Sequence, residues 1–305
     1  MWQKLFTRKT RPVWALLVLI VLLTASMAFS PVRAIANSFL GLFRIQHISV
    51  IQVNPDALPS NLGRSSQLEA MMTQDVKHET FGEVQTVSSA EEASQLLGIP
   101  VRLPSELQGQ PVLQVQPASR VTFTLNSERI QAILNEIGRS DIQLPKGLDG
   151  AVVTIDIPAG LNAMYGDCSS NQGVDPDMPQ PMRGRNCTTY VQIPSPTISA
   201  PPGLDVEKIG EAYLQILGMS SEDASHFAKN IDWTTTFVVP LPSSGVDYQD
   251  VSVDGVTGTI VQNSRSGSYK SYDLLWIKDG VIYALNGRGA DATFDRALQV
   301  ANSLK

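Results

Sequence analysis

The sequence is poor in the residues that build metal centres and covalent catalysts. Its 305 residues include two cysteines and three histidines, and none of them stands at the paired spacing that a zinc site needs. We also find no nucleophile elbow, phosphate-binding loop, zinc-protease helix or pair of carboxylates in a catalytic frame. The sequence therefore predicts a protein that is not an enzyme and that uses no metal and no cofactor.

Basic residues are scarce outside the N-terminus. Four of the 23 lysines and arginines precede Pro12, which leaves 19 against 29 acidic residues in the rest of the chain. An acidic domain is repelled by the phosphate backbone of nucleic acids, so we expect no nucleic-acid partner. The apolar content of 43% is enough for one large core or two modest ones.

One stretch, residues 13–29, lacks charge altogether. As a helix it would cover about 26 Å, the short end of what spans a hydrocarbon core of roughly 30 Å. Basic residues precede it and the first acidic residue is Asp56, which favours a cytoplasmic N-terminus. We predict a cytoplasmic tail at residues 1–12 and a single transmembrane helix at residues 13–30. The rest of the chain is then extracytoplasmic and the protein lies in the cell membrane.

A cleaved signal peptide is the alternative, because Ser26 and Ala28 are the small residues of a possible cleavage site. We favour the uncleaved anchor because Pro31 and apolar residues at helical spacing up to Phe43 follow it. That apolar face either lies in the membrane surface or packs on the exported domain. Residues 31–85 are predicted to form a juxtamembrane helix and a linker.

The only two cysteines, Cys168 and Cys187, lie in the predicted exported part. Disulfides persist in that environment, so we predict a bridge between them, with two unpaired thiols as the alternative. The surrounding residues 158–202 are rich in Gly, Pro, Asn, Ser and Asp, with one plausible strand at residues 190–193. The bridge would order this otherwise irregular segment.

Two sequence signals for hairpins lie in the C-terminal part of the chain. Asp254-Gly255 and Asp279-Gly280 each stand between two strand-like runs, and glycine readily takes the positive φ of two-residue hairpin turns. We predict an antiparallel meander, followed by a helix that Asp291 caps and whose apolar face covers the sheet.

Further elements follow from apolar spacing. Other strands are predicted at residues 45–53, 112–115, 121–125, 151–157 and 233–239. Helices are predicted at residues 68–76, after a capping box at residues 88–91, after Asn126, after Asp205 and after Ser220. The fold class is α+β, with residues 86–305 forming a domain whose antiparallel sheet is covered by helices.

Two stretches carry a family resemblance: EEASQLLGIPVRLPSEL at residues 91–107, and LLWIKDGVIYALNGRG with ALQVANSL between residues 274 and 304. They are similar to the uncharacterised extracytoplasmic C-terminal domain of bacterial membrane-anchored anti-sigma factors and related envelope proteins. The resemblance implies a structural, non-catalytic signature, which consists of Trp276, Lys278, Asp279, Gly280 and Tyr283. The juxtamembrane residues 31–46 resemble the segment after the membrane span in such proteins.

The chain departs from the family pattern in two ways. Its predicted cytoplasmic tail is too short for the module that holds a sigma factor, and residues 126–232 form an apparent insertion. The resemblance therefore implies a membrane-anchored sensory or regulatory module that acts through a protein partner. The alternative is an envelope carrier or binding module for a lipid or other ligand, and an enzyme ranks third. A carrier would leave an apolar cavity beside the C-terminal strands, whereas a regulator would fill that space with a packed core.

Overall fold

The structure, a computed structural model, describes residues 42–53, 73–136, 138–168, 186–242, 245–263 and 270–305. The chain from Phe43 to Lys305 forms one compact unit. The predicted cytoplasmic tail and transmembrane helix lie outside the described residues. Within the described ranges, no helix is both long enough and apolar enough to cross a membrane.

The described part is a mixed α+β structure whose largest sheet has eight strands, all paired antiparallel. In the order in which they lie side by side, the strands are β12 (Val246–Val253), β13 (Val256–Asn263), β14 (Lys270–Lys278), β15 (Val281–Gly289), β9 (Cys187–Pro194), β8 (Gly160–Gly166), β5 (Val112–Gln116) and β4 (Gln85–Val87). The two predicted Asp-Gly turns join β12 to β13 and β14 to β15, with positive φ at both residues of each turn. The C-terminal meander is thereby confirmed.

A second sheet has five strands and a third has two. The five-stranded sheet contains, side by side, β1 (Leu42–Arg44), β10 (Thr197–Ser199), β7 (Val152–Ile157), β6 (Ala118–Leu125) and β3 (Thr73–Phe81). The remaining pair, β2 (His47–Val53) and β11 (Thr236–Pro242), is parallel. β2 lies against β13 and β14 of the eight-stranded sheet.

Four strand pairs run from the five-stranded sheet into the eight-stranded sheet with short breaks. They are β3 with β4, β6 with β5, β7 with β8, and β10 with β9, and their side-by-side order is the same in both sheets. The breaks contain Gly82, Pro117, Pro158 or Pro196, and proline cannot donate a ladder hydrogen bond. Residues 126–232 supply the central strands β8 and β9, so this segment is built into the sheet.

The described residues contain five helices, each begun by a polar side chain that accepts a backbone hydrogen bond. The helices are α1 (Ala90–Leu97), α2 (Ser127–Glu136), α3 (Val206–Ile216), α4 (Ser221–Asn230) and α5 (Phe294–Ala301). The accepting residues are Ser89, Asn126, Asp205, Ser220 and Thr293. Thr293, rather than the predicted Asp291, caps α5, because only Thr293 stands immediately before the first helical turn.

Four other sequence expectations differ from the structure. The helix predicted at residues 68–76 does not extend over its described part, where β3 begins at Thr73 and pairs with β6. Val76, the one apolar position of that predicted helix that the structure describes, is exposed. Residues 158–202 were expected to be mostly irregular but contain β8, β9 and β10. Trp233 and Phe43 also differ from expectation: Trp233 precedes β11, and Phe43 lies in a strand.

The main core lies between the eight-stranded sheet and the helices α1 and α5. Trp276, Leu274 and Leu285 are fully buried there, together with Ala297 and Val300 of α5. Trp276 stacks on Tyr283, with ring centroids 5.3 Å apart. The face of the C-terminal strands that carries Leu274, Trp276 and Leu285 is therefore a packed core, while pockets of about 770 and 500 Å³ lie elsewhere along these strands.

Cys168 and Cys187 form a disulfide, as predicted. Cys187 begins β9 opposite Gly166, the last residue of β8, so the bridge ties together the ends of two neighbouring central strands. The two cysteines are separated by 19 residues in the sequence. A closed loop of that length constrains the unfolded chain.

We expect thiol labelling of the unreduced, denatured protein to find no reactive cysteine. Replacing both Cys168 and Cys187 by Ser should lower the free energy of unfolding by about 3 kcal/mol, because the unfolded chain regains its loop entropy. Urea denaturation measures this loss, with reduced wild type as the matched reference. Labelling of both thiols without reductant would contradict the bridge.

Trp276→Ala should lower the free energy of unfolding by about 3 to 5 kcal/mol, because it opens a cavity in a close-packed core. Tyr248→Ala on β12 is the control, since Tyr248 is 36% exposed and its loss should cost about 1 kcal/mol or less. If chemical denaturation gave nearly equal losses of unfolding free energy for Trp276→Ala and Tyr248→Ala, the core around Trp276 would not be closely packed.

Candidate functional site

The two stretches that carry the family resemblance meet in space. Arg102, which follows α1, donates two hydrogen bonds to the Asp254 carboxylate at 2.6 and 2.9 Å. Lys278 donates to the same carboxylate at 3.0 Å and to the Asp254 backbone oxygen at 2.7 Å. Leu103 and Lys305 exchange backbone hydrogen bonds. One carboxylate thus joins the α1 region to the C-terminal hairpins.

The five signature residues serve this structural unit. Trp276 and Tyr283 stack in the core, and Lys278 binds the neighbouring hairpin turn. Asp279 and Gly280 form their own turn at φ 52° and 72°, a conformation that Asp and Gly tolerate best. Within the described residues, these contacts support packing and not substrate chemistry.

The possible metal ligands are dispersed. His47, His78 and His226 lie on β2, β3 and α4, and each is exposed. In the part of the chain that the structure describes, no group of three or more His, Cys, Asp or Glu side chains could hold a metal ion. The expectation that the protein is not an enzyme stays a prediction.

An apolar cavity of about 310 Å³ lies between the five-stranded sheet and the helices α2 and α3. We call it the apolar cavity. Its sheet side is formed by β1, β6, β7 and β10, and its other walls by α2, α3, Trp233 and the segment between α2 and β7. The lining residues are Phe43, Phe123, Leu125, Ile130, Leu144, Pro145, Leu148, Val153, Ile198, Ala200, Leu204, Val206, Ile209, Gly210, Ala212, Tyr213, Ile216 and Trp233.

Among the residues that the structure describes, no charged side chain lines the apolar cavity. The indole N–H of Trp233 donates to the Ala228 backbone oxygen at 2.9 Å. Burial raises the pKa of Tyr213, so this phenol stays neutral at ordinary pH. A site with so few polar partners does not hold ordered water well, whereas it suits hydrocarbon.

Gly210 shapes one wall of the apolar cavity. The Trp233 ring lies so close to this helical glycine that a Cβ atom at position 210 would overlap it. Glycine costs a helix interior about 1 kcal/mol relative to alanine, and here it lets the large ring lie directly on α3. This glycine within the apolar pattern of α3 was the one local sequence signal of a close approach.

Asp254, Arg102 and Lys278, which we call the Asp254 cluster, should stabilise the fold in a pH-dependent way. The hydrogen bonds from Arg102 are the largest cause that lowers the pKa of Asp254, and Lys278 adds to it, while burial opposes both. Because the folded-state pKa lies below the unfolded value, the cluster stabilises the fold above the unfolded pKa of about 3.9. That stability is lost as pH falls through the folded pKa.

Asp254→Asn should therefore lower the free energy of unfolding at neutral pH by about 2 kcal/mol. Its deficit should shrink in acid, where the wild-type carboxylate is protonated too. Asn tolerates the positive φ at this turn, so the change tests charge. Asp279→Asn is the matched control at the other Asp-Gly turn. A deficit that stayed constant down to strongly acidic pH would contradict the ion-pair explanation.

Comparison with known proteins gives no match. No protein-family model matches the chain, and neither does a curated protein or a solved structure. The family resemblance therefore rests on the quoted residues alone.

Proposed function

We propose that residues 43–305 are the sensory domain of a membrane-anchored regulator of the bacterial cell envelope. In this proposal the domain is extracytoplasmic, binds an apolar ligand in the apolar cavity and acts through a protein partner without catalysis. The predicted N-terminal span supplies the anchor. The apolar cavity is the single observation that carries the ligand-binding part of the proposal.

The size and lining of the cavity support ligand binding. Ligand pockets typically begin at about 300 Å³ and are lined mostly by apolar and aromatic side chains. The apolar cavity has about 310 Å³ and is lined by aliphatic side chains, phenylalanines, Tyr213 and Trp233. Apolar side chains that line an unfilled pocket lack dispersion contacts on one side, and a bound ligand supplies them.

The burial of large side chains in the main core favours a regulator over a carrier. A carrier must shield the whole apolar part of a lipid, and the eight-stranded sheet offers the widest surface for that purpose. On the face of that sheet that α1 and α5 cover, Trp276, Tyr190 and Tyr272 are instead almost fully buried in the core. The apolar cavity is at the small end of ligand pockets, so it suits a small ligand or one chain.

A carrier remains the second candidate, because the lining of the apolar cavity would equally suit cargo. Mass spectrometry of protein isolated from its native membrane separates the two functions. A carrier should hold stoichiometric multi-chain lipid, whereas the proposed sensor should not.

The place of Phe43 supports a sensory function. Phe43 lines the apolar cavity, and it lies in β1 at the start of the compact unit, so it follows the predicted membrane span in the sequence before any other residue of that unit. A ligand that displaced this ring would act directly on the chain segment that leads to the anchor. Such coupling requires that the ligand bind one position of β1 more tightly than another.

We expect a terminally brominated decanol to quench the fluorescence of Trp233 in the full chain held in phosphatidylcholine nanodiscs. The signal of Trp233 is taken as the difference between wild type and Trp233→Phe, and empty discs correct for partition. Ala200→Phe should weaken this quenching at least tenfold by filling the apolar cavity, since loss of a few buried methylene contacts suffices for that change.

Ala132→Phe is the matched control, because Ala132 lies on the exposed face of α2 and does not line the apolar cavity. It should quench like wild type. Unchanged quenching in Ala200→Phe, or none in wild type, would refute ligand binding at this site.

A further inference from the structure

A polar cavity of about 380 Å³ adjoins the apolar cavity. The two share Leu144, Pro145 and Ala212 as lining residues. α3 lines both, because Ile209 faces the apolar cavity while Lys208 faces the polar one. A ligand in the apolar cavity is therefore separated from charged groups by one layer of side chains.

The charges of the polar cavity are mostly paired. Glu211 accepts from Lys208 at 2.7 Å, and Asp141 accepts from Arg139 at 3.0 Å. Lys146 also lines the polar cavity and is exposed. Among the described residues it has no ion-pair partner, so its ammonium is the charge left over for a ligand.

Of the three residues shared by the two cavities, Ala212 lies in α3 and the other two lie in a segment that is not part of a helix or strand. Leu144 and Pro145 belong to the connection between α2 and β7, which has no regular secondary structure. A ligand can cross from one cavity to the other if this irregular segment moves slightly. A helix or sheet in the same place would have to break backbone hydrogen bonds first.

We propose that the ligand is a single-chain amphiphile with an anionic head group. Its hydrocarbon chain fills the apolar cavity, and its head group lies in the polar cavity against the Lys146 ammonium. A cavity of about 310 Å³ is roughly twice the size of an engineered cavity that holds one benzene, so it holds one chain and not two. This inference rests on the proposed ligand-binding function.

The test compares a terminally brominated decanoate with the brominated decanol of the same chain length. Both are titrated into the full chain in phosphatidylcholine nanodiscs at mildly alkaline pH, and quenching of Trp233 is measured as its difference from Trp233→Phe. The carboxylate should bind about threefold to fivefold more tightly than the alcohol, the size of an exposed ion pair. Shortening the chain should weaken both by roughly fourfold per methylene.

Lys146→Gln should abolish the preference for the carboxylate and leave binding of the alcohol unchanged. Lys229→Gln on α4 removes the same charge from an exposed position that lines neither cavity, and it should keep the preference. Equal affinities of the two probes in wild type, or a preference for the carboxylate that survives Lys146→Gln, would overturn the head-group assignment. Quenching by both probes in that case would still support ligand binding in the apolar cavity. No quenching of Trp233 by either probe would instead overturn the proposed function itself.

Discussion

Four breaks in the backbone at the same level of the sheet determine how this domain is built. At Gly82, Pro117, Pro158 and Pro196 the strands cannot continue their ladder undisturbed, because proline lacks the N–H donor and glycine leaves the extended conformation easily. The strand order is conserved across the breaks, so one set of four strands serves two sheets. Each sheet then acquires its own helices, α1 and α5 on one and α2 and α3 on the other.

The two sheets differ in how their helix-covered faces are filled by side chains, and in the proposed function this difference separates stability from ligand binding. The eight-stranded sheet buries large aromatic side chains such as Trp276 and Tyr272 against small residues of α5, and this interdigitation gives native packing density. The five-stranded sheet packs on α2 and α3 through Leu125, Ile130 and Ile216 and leaves the apolar cavity beside them. An unfilled cavity lowers the stability of a fold. Close packing in another part of the same fold can compensate for that loss. The ion pairs of Asp254 link the hairpin turns of the eight-stranded sheet, and none of their residues lines the apolar cavity.

Sequence reasoning succeeded where structure is local. The Asp-Gly turns need positive φ at adjacent residues, and a two-residue motif shows this requirement. The caps Asn126, Asp205 and Ser220 are also local signals, and the disulfide was predictable because the chain has only two cysteines. It failed for β8 and β10, whose neighbours are distant in the chain and whose flanking prolines indicated irregular structure. The apolar cavity was not predictable at all, because its walls come from Phe43, Leu125, Ile198 and Trp233. No short segment contains enough of them to form a pattern.

β1 is the element through which the two parts of the domain communicate in the proposed function. Phe43 lines the apolar cavity, while the neighbouring Arg44 guanidinium donates to the Gly280 backbone oxygen at 3.5 Å, in the turn of the signature hairpin. Successive side chains of a strand point to opposite faces, so a shift of β1 that accommodates a ligand must also move Arg44. The contact with Gly280 is long and exposed, which makes it weak. Occupancy of the cavity can therefore alter the position of β1 without disrupting the dense core, and the free energy available for this change is limited to the ligand's difference in affinity for the two positions.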